Sequence, residues 1–199
     1  MIIRPTKLSL LFVTIFLFLS GCAPISTELY RPEATGGRVV KAHCPPVNSF
    51  ILFERSDVII GIRASQTSED QASVTVTFEV PKDQTVELKG QLAAVLLDGR
   101  EFSRSTLTGR KWIALGRTAE IPENAPMIGK TEKKLFFKQT TLYGTTDHAY
   151  FFFTTTLAIK NPSIFEVRLP AILINGVEVN LPNIVFKKRT ASYIGSLNC

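Results

Sequence analysis

The sequence predicts an all-β domain, a two-sheet antiparallel β-sandwich, on three observations. Residues 72–80 alternate strictly, with Ala72, Val74, Val76, Phe78 and Val80 on one side and Ser73, Thr75, Thr77 and Glu79 on the other. That is the period of a strand with one buried and one solvated face. Two dipeptides, Asp98-Gly99 and Asn175-Gly176, stand between apolar runs and suit the positive φ values of tight hairpin turns. Helical periodicity is nearly absent from Phe50 onward, and two packed antiparallel sheets bury such alternating faces most simply.

The elements follow in order. Residues 50–54 and 58–63 flank Arg55, Ser56 and Asp57 and predict a hairpin. Pro81 ends the alternating strand because proline cannot donate to the ladder. Val86 and Leu88 alternate with charged neighbours, and residues 92–97 run into the Asp98-Gly99 turn. The aromatic run from Tyr150 continues to Ile159, placing Phe151, Phe153, Leu157 and Ile159 on one face and Tyr150, Phe152, Thr154 and Thr156 on the other, as in a central strand. Residues 135–142, 164–169, 184–188 and 192–197 predict further strands, and 171–174 and 177–181 flank Asn175-Gly176, for about ten strands. Cys44, Trp112 and Cys199 have the order of an immunoglobulin domain but not its spacing, since the last cysteine ends the sequence. An immunoglobulin-like or jelly-roll-like sandwich is expected, with a β-barrel as the alternative. No internal repeat points to a propeller.

The amino terminus has a different character. Arg4 and Lys7 precede an apolar run at residues 8–19, which is the layout of a signal peptide. A permanent helical span needs roughly 20 such residues, so removal is expected. The residues that close the run, Leu19, Ser20, Gly21 and Cys22, resemble the lipobox of bacterial lipoproteins. That resemblance implies a signal peptide at 1–21, diacylglycerol on the Cys22 thiol, cleavage before Cys22 and acylation, such as by palmitate, of the new amine. Two or more acyl chains anchor a protein stably. The next residue, Ala23, resembles the pattern sorted to the outer membrane of a Gram-negative host, which implies a domain facing the periplasm.

Residues 22–46 contain Pro24, Pro32, Gly36, Gly37, Pro45 and Pro46 without a sustained apolar period. They read as a lipidated tether that, as a flexible coil, would hold the domain about 25–30 Å from the bilayer, with residues 38–42 as a short edge strand. The folded domain is then expected at 47–199. Once Cys22 carries lipid, Cys44 and Cys199 form an even pair in an oxidising compartment, and a disulfide between them is expected.

The formal charge of +6 falls when Arg4 and Lys7 are removed, leaving 21 basic against 17 acidic residues. The densest basic stretches are Lys130, Lys133, Lys134 and Lys138, then Lys187, Lys188 and Arg189. No nucleic-acid motif accompanies them, so no nucleic-acid partner is expected. His43 and His148 are the only histidines. Neither belongs to a zinc-ligand set, no GxSxG elbow serves the Asp147-His148 pair, and no glycine loop cradles phosphate. Asp98 with Glu101, or Glu120 with Glu123, would suit acid–base hydrolysis only if folding brought them together. No enzyme, metal or cofactor is expected.

Trp112, Tyr143, Tyr150 and Phe152 are candidate ligand-binding aromatics, and residues 119–131 read as a long recognition loop. The composite expectation is a membrane-anchored envelope lipoprotein. Its sandwich is a non-catalytic interaction or assembly module with an envelope protein partner, as in an accessory subunit of a secretion or cell-envelope complex. The alternative is a glycan- or peptidoglycan-binding lipoprotein, with hydrolase activity third.

Overall fold

The computed structural model describes residues 24–40, 49–114, 117–120, 127–128 and 148–194. These residues form strands and, among them, no helix. In chain order the strands are β1 (Pro24–Glu33), β2 (Arg38–Val40), β3 (Phe50–Arg55), β4 (Val58–Ser68), β5 (Gln71–Pro81), β6 (Thr85–Leu88), β7 (Leu92–Leu97) and β8 (Arg100–Thr106). They continue as β9 (Thr108–Ala114), β10 (Arg117–Glu120), β11 (Met127–Ile128), β12 (His148–Leu157), β13 (Ile164–Arg168), β14 (Ile172–Ile174), β15 (Val177–Val179) and β16 (Ile184–Ile194).

Three antiparallel sheets result. A seven-stranded sheet has the order β10-β9-β12-β5-β4-β3-β2, a five-stranded sheet β1-β16-β13-β7-β8, and a four-stranded sheet β11-β6-β14-β15. None closes into a barrel, and the architecture is that of a β-sandwich. The expected hairpins have the turn chemistry they need. Both central residues have positive φ at Ser56-Asp57 (48° and 66°), Asp98-Gly99 (50° and 73°) and Asn175-Gly176 (51° and 79°). This is the type I′ geometry that matches strand twist.

One contiguous core draws on all three sheets. The strict alternation of β5 buries Ala72, Val74, Val76, Phe78 and Val80, and the next strands add Ile60, Ile62, Phe151, Phe153 and Leu157. The five-stranded sheet supplies Tyr30, Phe165 and Phe186, and the four-stranded sheet Val86, Ile172 and Ile174. Phe165 stacks on Phe186 at 5.1 Å between ring centroids, and Tyr30 meets the edge of Phe165 at 5.0 Å. Phe78 and Phe153 form another edge-to-face pair at 5.8 Å. Such pairs add about 0.5–1.5 kcal/mol beyond their buried area.

The structure corrects the amino-terminal boundary. Residues 24–33 of the expected tether form β1, in unbroken register with β16 from Pro24 opposite Ile194 to Glu33 opposite Val185. The folded domain therefore begins by Pro24, not at residue 47. The prolines that read as linker punctuation sit at the first position and near the end of a strand at the sheet's edge, where a missing N–H breaks no ladder bond. Burial of Tyr30 against Phe165 favours the strand. Residues 38–40 form β2 at the edge of the seven-stranded sheet, as the pattern predicts. The strands expected at 184–188 and 192–197 run together as β16 through Ile194. The expected strand at 135–142 lies outside the described residues, as do Cys22, Cys44, Cys199 and Tyr143.

Candidate functional surface

The outer face of the seven-stranded sheet is assembled by cross-strand register. One row runs Arg38, Leu52, Gly61, Thr77, Phe152, Arg110 across β2, β3, β4, β5, β12 and β9. The next row toward the Ser56-Asp57 turn runs Glu54, Ile59, Glu79, Tyr150. Phe50 and Arg63 stand on the other side of the first row, with the Arg63 guanidinium 5.1 Å above the Phe50 ring. Phe50, Leu52, Ile59, Arg63, Tyr150 and Phe152 are half-buried.

Gly61 makes the centre of this face flat. A Cβ there would lie 2.5 Å from Thr77 Oγ1 and 3.2 Å from Leu52 Cδ2, so only glycine lets these side chains close over the strand. Thr77 Oγ1 also donates to the Gly61 carbonyl at 3.2 Å. The Tyr150 hydroxyl donates to Glu79 Oε1 at 3.3 Å. Neither Tyr150 nor Phe152 is a free ring, because each is held by side-chain contacts. An apolar centre with arginine and glutamate at its margins suits contact over an area. It contains no acid–base pair.

Of the four aromatics singled out in the sequence, the structure brings Tyr150 and Phe152 to one face. Trp112 lies on β9, opposite Thr118 of β10, and Tyr143 falls outside the described residues. The residues missed are Phe50, Leu52, Ile59 and Arg63. Their signal was present: residues 50–53 and 150–153 are apolar without a break. An uninterrupted apolar strand has cover on both faces, whereas a solvated one alternates.

A second polar assembly lies where β1 crosses the end of β4. The buried Tyr30 hydroxyl directs its proton at two acceptors, Gln66 Oε1 at 2.9 Å and the Pro162 carbonyl at 3.0 Å. Lys188 Nζ lies 3.3 Å from Glu28 Oε2, 5.8 Å from the Tyr30 ring centroid, and donates to Asn161 Oδ1. Burial, reinforced by the negative charge of Glu28, pushes the Tyr30 phenol up to about 12. A raised folded-state value means the neutral phenol contributes its full stability below pH 10, and loses it as the pH rises from 10 to about 12. Urea titrations across that window are expected to show a loss of stability in the wild type that is smaller in Tyr30→Phe. An identical alkaline slope in both proteins would refute the assignment.

The carboxylates considered for hydrolysis do not form a pair. Asp98 occupies an exposed turn, while Glu101 accepts from Arg104 Nε and from an Arg168 guanidinium nitrogen, each at 2.7 Å. Its hydrogen bond with Arg104, and the charge of both guanidiniums, hold the Glu101 carboxyl below the usual carboxylate range. Such a group has no proton to donate near neutral pH. Glu120 ends β10 and Glu123 lies outside the described residues. Among the described residues, no three His, Cys, Asp or Glu side chains are grouped to hold a metal ion. In the basic stretch of β16, Lys187 pairs with Glu33 at 2.5 Å and Lys188 with Glu28, which neutralises most of its field.

A scan against protein-family models and searches of curated proteins and of solved structures give no match to this chain.

Proposed function

We propose that this chain is a lipid-anchored envelope protein whose β-sandwich serves as a non-catalytic interaction module for an envelope protein partner. The observation that carries the reading is the Leu19-Ser20-Gly21-Cys22 tetrapeptide at the end of a charged and apolar leader. It resembles the lipobox, and acylation of Cys22 supplies an anchor that an exported domain otherwise lacks. Ala23 directs the same reading to the outer membrane of a Gram-negative host, with the domain on the periplasmic side. A Cys44–Cys199 disulfide belongs to this reading, because both thiols would reside in an oxidising compartment. The half-buried apolar face around Gly61 is the surface assigned to the partner.

The anchor is tested by intact mass of the membrane-extracted protein. The expected species begins at Cys22 and carries diacylglyceryl and acyl mass, and Cys22→Ser releases the protein from the membrane fraction. A wild-type mature chain with another first residue and no acyl mass would overturn the proposal. Cross-linking in intact envelopes, followed by purification, tests the interaction role. Recovery only as a monomer would argue against it.

A further inference from the structure

We infer that the outer end of the β1–β16 ribbon, where Pro24 stands opposite Ile194 and Ile25 opposite Tyr193, is a membrane-contact tip that seats in the headgroup region of a bilayer. The inference rests on the lipid-anchor reading and deepens it, because it names which part of the domain meets the lipid.

The register dictates the shape. β13 pairs with β16 only over Ile184–Lys187, whereas β1 follows β16 to Ile194. Beyond Lys187, among the described residues, β16 has β1 as its sole strand neighbour. Tyr30 already meets Gln66, close to the end of β4 at Ser68. Residues 24–29, paired with 189–194, therefore continue past the body as a two-stranded ribbon about 20 Å long at roughly 3.3 Å per residue. Ser26, Glu28, Arg189 and Thr190 along it are exposed. The segment expected to be a coil is thus a stalk with a fixed direction.

The anchor meets that stalk with almost no slack. Cys22 precedes Pro24 by two residues, which span at most about 7 Å of extended chain. The headgroup zone of each leaflet is roughly 5–8 Å deep. A Cys22 whose acyl chains lie in the hydrocarbon therefore brings Pro24 and its partner Ile194 to that zone, with Ile25 and Tyr193 one step above. Tyrosine is enriched at membrane interfaces, and isoleucine gains by leaving water.

Charge attraction is the competing cause, and distance decides against it. Arg189 stands opposite Leu29, five positions above Pro24, or about 17 Å up the ribbon. The Debye length in physiological salt is about 8 Å. Lys187 and Lys188 are higher still and are paired with Glu33 and Glu28. The contact is therefore apolar and insensitive to salt.

The test uses the full-length lipidated protein in phosphatidylcholine vesicles with brominated acyl chains. Tyr193→Trp and, separately, Ile194→Trp place an indole at the tip, Val177→Trp places one on exposed β15 as a distant control, and the parent chain with its native Trp112 sets the baseline. Each tip variant is expected to lose about half of its added emission, with no effect of salt, while the control loses none. A lipidated, vesicle-bound protein whose tip indoles match the control would overturn the membrane-contact tip and leave the anchor standing. Quenching that vanishes at high salt would overturn the apolar contact. Protein without acyl mass that does not float with the vesicles would overturn the anchor and the tip together.

Discussion

Tyr30→Ala is expected to lower the unfolding free energy by about 3–5 kcal/mol, the range for removing a large buried aromatic side chain. Tyr30 is 2% exposed, lies edge-on against Phe165 and donates toward Gln66 and Pro162. It is the point at which β1 is bolted to the core. Tyr30→Phe keeps the ring and removes the hydroxyl, leaving two acceptors short of a donor, and is expected to cost about 1–2 kcal/mol. Equilibrium urea unfolding measures both. The outcome separates two pictures of the amino-terminal segment, since a substitution in a solvated tether changes stability by no more than about 0.5 kcal/mol. An effect of that size for Tyr30→Ala would mean that β1 is not part of the cooperative unit.

Gly109→Val is expected to destabilise the domain by about 1–3 kcal/mol through overpacking. On β9, Gly109 stands opposite Phe153 of β12, and a Cβ there would come within 2.6 Å of Phe153 Cε1, with two more ring atoms at 3.0 and 3.1 Å. The Phe153 ring is itself buried and packed edge-to-face with Phe78, so it has little room to retreat. Shrinking the ring should relieve part of the clash. The double variant Gly109→Val with Phe153→Leu is therefore expected to be about 1 kcal/mol more stable than the sum of the single effects, the sign of coupling between residues in contact. Strict additivity in the same urea assay would show that the two positions do not touch.

Much of this fold was legible because its signals are local. The alternation at residues 72–80 marks the buried face of β5, and Ser56-Asp57, Asp98-Gly99 and Asn175-Gly176 adopt the backbone angles that their residue types tolerate. The predicted inward face of β12 was also readable, with Phe151, Phe153, Leu157 and Ile159 all buried. The candidate surface was only half legible. Tyr150 and Phe152 were found from the aromatic run, but Leu52, Gly61 and Arg63 join them through the pairing of β3, β4, β5 and β12. That pairing spans residues about a hundred positions apart in the chain.

By itself the sequence determined the all-β class, the hairpin turns, the alternating core strands and the lipobox resemblance, because each depends on neighbours within a few residues. Only the tertiary structure decided that residues 24–33 are a strand rather than a coil, that three sheets share one core, and which side chains stand beside Gly61. Prolines and a mixed pattern leave β1 without a signal of its own. What orders it is a ladder to β16 and the burial of Tyr30 against Phe165, and the free energy of both is released only when distant parts of the chain meet.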